Sequence, residues 1–289
     1  MTSHRFDQPH PARRIAGSPP VRIAALGFLL LVMMSLNADV MTSYAEDPIK
    51  SIQHVVALAI AGIAVYCGYA QFVEKRALPE LALPGMGREL GVGLLVGAGL
   101  YAVCELVLMG LGIYRVEGLN PLSYMLPAIA MALSSGVFEE LLFRGVLFRS
   151  IETWFGSWVA LVVSSLVFGL THLINPEGTL EGALFIAVEA GILLAAAYML
   201  TRRLWLSIGF HVAWNYTQSA VFSGIVSGNE PSQGLVRSTV RGPDYLTGGS
   251  FGVESSVLAL LFCTSAGIVM LVMAVRRGRI VPPVWKRPR

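Results

Sequence analysis

The chain has 289 residues, of which 55% are hydrophobic and 13% charged, against roughly 25% charged in an ordinary soluble domain. The formal net charge of +3 is spread over short basic clusters between apolar blocks, which argues against a nucleic-acid surface. Cys67, Cys104 and Cys263 fall inside apolar blocks without metal-ligand spacing, so neither a disulfide frame nor a thiolate zinc site is expected.

The apolar blocks are each about twenty residues long, enough to cross a hydrocarbon core of roughly 30 Å. In chain order they predict spans at about 21–41, 52–73, 90–113, 121–149, 157–173, 180–201, 204–226 and 254–275. The expected fold class is all-α, a polytopic membrane protein with about eight transmembrane helices. One transmembrane domain over 21–275 is expected between two basic tails, residues 1–20 and 276–289, whose Pro and Arg content predicts mobility near anionic headgroups. The end of the first block near Ser43, Tyr44 and Ala45 loosely resembles a signal-peptide cleavage site, but the block is longer than a usual signal core.

An even number of spans puts both termini on one side. With that side cytoplasmic, 17 of the 21 Lys and Arg residues lie inside and only Lys50, Arg115, Arg237 and Arg241 outside, as the positive-inside rule requires. The polar, Gly-rich stretch from about Ser227 to Phe251 reads as disorder or a lid. Gly91, Gly93, Gly97 and Gly99 are expected to allow close helix packing. Trp154, Trp158, Trp205 and Trp285 are expected at membrane interfaces.

Charged groups inside a bilayer are costly unless paired or wetted, so each one marks a candidate site. The fourth span carries Glu139, Glu140 and Arg144, the fifth Phe168 and His172, the seventh His211 and Asn215. Residues four apart share a helix face, so Glu140 can reach Arg144 while Glu139, about 100° away, points elsewhere. His211 and Asn215 form a second such face. Glu105 and Glu189 are expected to be packing groups, Glu189 being the better supporting candidate. At about 1.5 Å per residue from the cytoplasmic helix ends, Glu139, His211 and Asn215 lie about 15, 10 and 16 Å deep, but His172 about 23 Å.

These residues suit hydrolysis without a covalent nucleophile. Glu139 can serve as general base, a neutral His172 can hold the water, and His211 with Asn215 can donate to a developing oxyanion. The soluble zinc-protease signature, two His four apart around a Glu, is absent. No cofactor is therefore required, although Glu139, His172 and His211 could supply three ligands to a zinc ion.

Taken together, Glu139-Glu140-x-x-x-Arg144, Phe168-x-x-x-His172 and His211-x-x-x-Asn215, in that order on separate spans, resemble the CPBP or Abi family of intramembrane proteases, which includes CAAX prenyl proteases of the Ras-converting type. The resemblance covers about residues 121–220. It implies an eight-helix endopeptidase opening toward the cytoplasm, with water activation by Glu139 and His172 and transition-state stabilisation by His211 and Asn215. The expected partners are the lipid bilayer and a membrane-associated peptide or protein, prenylated or not. Family members are often described as metalloproteases, although the same residues suit a metal-free glutamate protease. Two other readings stay open: a proton-coupled transporter, for which inverted repeats would be expected and none is evident, and a non-catalytic membrane partner or immunity protein.

Overall fold

The computed structural model describes residues 17–287. Helix α1 spans Pro19–Ser43 and α2 Pro48–Gly68, the latter running on through a π-helical turn, Tyr69–Glu74. Helix α3 spans Met86–Gly110 and α4 Pro127–Glu139. A long π-helical segment, Glu140–Phe148, joins α4 to α5, Arg149–Thr171. Helix α6, Leu180–Ile186, passes through the π turn Ala187–Gly191 into α7, Ile192–Thr201. Helix α8, Trp205–Tyr216, ends in a π turn, Thr217–Val221, and α9 spans Val257–Arg276. The protein is thus an all-α polytopic membrane protein.

Local chemistry sets the helix starts. Pro19, Pro48 and Pro127 open α1, α2 and α4, where a missing N–H costs nothing. Asp47, Thr179 and Ser256 cap α2, α6 and α9 by accepting the N–H of Lys50, Gly182 and Ala259.

Six helices are long and apolar enough to cross a membrane, against the eight expected. The difference has two causes. Helix α8 with its π turn is only 17 residues long, and one of the six, Leu122–Ile174, is a 53-residue run that holds two of the expected spans. That run breaks at Gly156, whose φ of 79° lies in the left-handed region. On a straight helix Arg144 and Phe168 would be about 36 Å apart, yet the Arg144 guanidinium carbon sits 4.6 Å from the Phe168 ring centroid. The chain therefore reverses at Gly156. A Cβ there would come within 2.8 Å of Pro283 N and Val281 O.

The segment that seals this reversal is the C-terminal one, which sequence patterning placed in a mobile tail. Ser157 N–H donates to Val281 O at 2.9 Å and Val281 N–H to Ser157 Oγ at 2.8 Å. Arg287 donates to Glu152 O at 3.2 Å. The corresponding N-terminal expectation falls mainly on residues 1–16, outside the described residues.

Lipid supplies little hydrophobic drive between helices, so close packing of small residues matters. A Cβ at Gly93 would lie 2.4 Å from Leu206 O, and one at Gly97 2.3 Å from Phe210 O, so both glycines let α3 press on α8. Gly91 and Gly99 have open space instead. Helix α7 is the innermost, with every side chain from Leu193 to Leu200 buried, while Phe28, Ile60, Leu95 and Leu261 present exposed apolar surface suited to lipid. Trp154, Trp158 and Trp285 are exposed, but Trp205 is buried and donates to Ala82 O at 2.9 Å.

The Gly-rich stretch after α8 is ordered. Its strand β2, Val236–Val240, pairs antiparallel with β1, Tyr114–Leu119, from Tyr114 opposite Val240 to Leu119 opposite Val236, with a bulge between Val116 and Gly118. Tyr114 OH ties this sheet to Phe222 O at 2.9 Å.

Candidate active site

Glu139 ends α4 and Glu140 opens the π segment, so the two carboxylates leave the backbone in different directions. Glu140 is fully buried and its Oε1 accepts from Arg144 Nη1 at 2.7 Å, the i,i+4 pair expected from spacing. Arg144 is also fully buried, and its Nη2 donates to Gly191 O at 3.2 Å in the π turn before α7. The Phe168 ring lies beneath the guanidinium, a cation–π contact that strengthens as water is excluded. The charge of Arg144 is thereby matched on three sides.

His211 reaches across from α8. Its Nδ1 donates to Glu140 Oε1 at 3.0 Å, and its Nε2 stands 3.9 Å from Glu139 Oε2. This contact with Glu140 links residues 71 apart in the chain, so helical spacing could not reveal it. Glu139 is part-exposed and its Oε2 has no hydrogen-bond partner among the described residues.

His172 closes α5 and its Nδ1 donates to Phe168 O at 2.8 Å. A neutral His172 therefore carries its lone pair on Nε2. Phe168 stands between the two imidazoles, with ring centroids 5.0 Å from His172 and 6.0 Å from His211. The depth mismatch expected for His172 disappears once the reversal is placed at Gly156. Glu139 lies 17 residues before that turn and His172 16 residues after it, about 25 Å of helix on either arm.

Asn215, one turn beyond His211, donates from Nδ2 to Ser135 Oγ at 2.8 Å, and Ser135 donates in turn to Met131 O at 3.1 Å. Ser135 was not singled out in the sequence, although it precedes Glu139 by four residues and so shares its helix face. Glu139, His172, His211, Asn215, Ser135 and Glu189 all line one cavity of about 1000 Å³. Glu189 is buried and its Oε1 lacks a hydrogen-bond partner; Glu105 instead accepts from Tyr101 OH at 2.8 Å.

Among the described residues, no group of three or more His, Cys, Asp or Glu converges closely enough to hold a metal ion. His211 Nδ1 is taken by Glu140, so Nε2 is the nitrogen it could offer to a ligand.

Residues 121–217 match the family model described as type II CAAX prenyl endopeptidase Rce1-like. This segment is similar to that family, which supports the resemblance to CPBP-type CAAX proteases read from the motifs. The matched stretch holds Glu139, Glu140, Arg144, Phe168, His172, His211 and Asn215, and leaves α1 to α3 and α9 outside. No curated protein and no solved structure matches the chain. At family level this CAAX endopeptidase-like protein is a multi-pass membrane protease.

Proposed function

We propose that the protein is an intramembrane endopeptidase that hydrolyses a peptide bond in a membrane-associated substrate, prenylated or not, by direct attack of water. The observation that supports this reading best is the division of labour between adjacent carboxylates. Glu140 is fully buried and held through Oε1 by both Arg144 and His211, while Glu139, held by no cation at hydrogen-bond distance, lies on the cavity wall.

Glu139 takes a proton from the attacking water, whose position His172 Nε2 helps to fix by accepting from it. The hydroxide adds to the scissile carbonyl carbon, and the resulting oxyanion accepts hydrogen bonds. Asn215 has an amide N–H left after its bond to Ser135. His211 donates from Nε2 as an imidazolium whose Nδ1–H is held by Glu140, while Glu139, having taken the proton, is neutral. Collapse of the intermediate breaks the C–N bond, and Glu139 returns its proton to the leaving amine. No step runs through a metal.

The basic end, where Arg22, Arg76 and Arg149 all meet Glu74, faces the cytoplasm in this reading. The test is a screen of membrane-anchored peptides, with and without a prenyl group, against the purified protein in vesicles. Mass spectrometry should find a single new carboxyl terminus that carries one heavy oxygen in ¹⁸O-water. Absence of cleavage of every peptide, by protein shown to be folded, would overturn the proposal.

A further inference from the structure

The outer loop and the start of α9 lie beyond the matched family segment, yet they reach two of the residues placed in the site. Glu254 is buried, 3% exposed, and contacts no cation. Its charge is met by three donors instead: Trp214 Nε1–H to Oε1 at 3.0 Å, and Ser227 N–H and Oγ–H to Oε2 at 2.6 and 2.7 Å. Such charge-assisted bonds are short and roughly twice as strong as neutral ones.

Both partners lead into the site. Trp214 immediately precedes Asn215 on α8. Ser227 O accepts from Asn175 Nδ2 at 2.7 Å, and Asn175 N–H donates to His172 O at 3.2 Å, so the far arm of the network ends at His172. A second strut runs beside it, with Glu177 N–H on Gly228 O at 2.9 Å.

The loop is held in a conformation it would not choose alone. Ser227 has φ 50°, a left-handed value that a non-glycine residue adopts only when its surroundings impose it. Gly252, two residues before Glu254, has φ 98°, and a Cβ there would lie 2.1 Å from Ile225 O. The chain thus brings Glu254 against the loop at a place where only glycine fits.

We propose that Glu254 is a positioning residue that fixes His172 and Asn215, which line the same cavity, relative to each other, through Ser227–Asn175 on one side and Trp214 on the other. This role rests on the hydrolytic reading above. Glu254 lines the same cavity but acts through these partners. It removes slack between two groups whose misplacement by about 1 Å can cost on the order of a hundredfold in rate.

The test uses the full-length protein in phosphatidylcholine–phosphatidylglycerol vesicles with a farnesylated peptide reporter, and follows hydrogen exchange in parallel. Glu254→Gln keeps an acceptor for Trp214 but sets an amide N–H₂ against the Ser227 N–H. It should lower kcat per folded molecule by about ten- to a hundredfold, leave KM within about twofold, and raise exchange in 172–178 as well as 226–229. Ser227→Ala, which loses only the hydroxyl arm, should lose a few-fold in kcat. If Glu254→Gln does not fold, Trp214→Phe, which deletes the other arm alone, should show the same kcat-only loss at smaller size. A wild-type kcat per folded molecule in these variants, or unchanged exchange in 172–178, would overturn the positioning role. A wild-type protein that cleaves no reporter would instead sink the hydrolytic reading.

Discussion

Glu140 and His211, 71 residues apart, share a buried hydrogen bond of 3.0 Å at the same carboxylate oxygen that accepts from Arg144. Three elements, α4 with its π segment, α8 and, through Gly191, the α6–α7 turn, are therefore tied to one oxygen atom. Glu140 fixes the orientation of the His211 ring, and that leaves Nε2 on the Glu139 side.

Arg144→Ala should strand the Glu140 carboxylate in a water-poor interior. Breaking one partner of a buried pair costs about 3–5 kcal/mol, so a large drop in the detergent melting temperature is expected, together with loss of cleavage. Arg144→Lys should rescue only in part, because an ammonium cannot lie flat on Phe168 while donating to both Glu140 and Gly191 O. Thermal unfolding of the three proteins in one detergent checks this.

Gly156→Val should damage both stability and activity. A β-branched residue at φ 79° costs on the order of 1–3 kcal/mol, and its Cβ would press on the backbone of Val281 and Pro283. Since Glu139 and His172 sit at matched distances from this turn, cleavage is expected to fall further than the loss of folded protein accounts for. Activity per folded molecule is the readout.

Much of the site was legible because it depends on short-range periodicity. The Glu140–Arg144 pair follows from i,i+4 spacing, and the grouping of Glu139, His172, His211 and Asn215 from the cost of polar groups in lipid. Long-range partners were not legible. The bond of His211 to Glu140, that of Asn215 to Ser135 and the clamp at Glu254 each join residues more than 25 apart. The expected connection between spans over residues 150–156 contains the reversal, but the backbone stays helical through it up to Gly156. Trp205 has the composition of an interface anchor, but its ring packs in the core and its Nε1–H finds the Ala82 carbonyl there. The ordered stretch after α8 was hidden because β2 has its pairing partner more than a hundred residues upstream.

The basic end should carry an acid-sensitive fastening. Burial pushes the Glu80 carboxyl up, but hydrogen bonds and charge from Arg76 outweigh it and hold the group below its ordinary range. Tyr66 OH, 2.7 Å from Glu80 Oε1 and 3.0 Å from Gly145 O, links it to the π segment. With the folded value depressed, this stabilisation is complete above the unfolded carboxylate range and is lost as pH falls through the folded value. Melting temperature should thus fall below about pH 4.5, and Glu80→Gln should be less stable at pH 7 with a weaker acid dependence. A pH series of thermal melts on both proteins decides it.

Treatment with a chelator such as 1,10-phenanthroline, followed by dialysis, should leave cleavage within about twofold of untreated protein, and added zinc should not raise it. The ground is ligand geometry: no three His, Cys, Asp or Glu donors converge among the described residues, where a catalytic zinc needs three protein ligands at about 2 Å. Loss on chelation that zinc alone restores would show that the site rearranges around a metal.

The unequal roles of the two adjacent carboxylates are tested most directly by single-turnover cleavage of a vesicle-anchored peptide by Glu139→Gln and Glu140→Gln, each normalised to folded protein. Glu139→Gln should keep a near wild-type melting temperature and lose cleavage by at least about a thousandfold, in keeping with a missing general base. Glu140→Gln should melt well below wild type and lose activity with its fold. Cleavage at the wild-type rate by folded Glu139→Gln would contradict the assignment of Glu139 as the group that activates water.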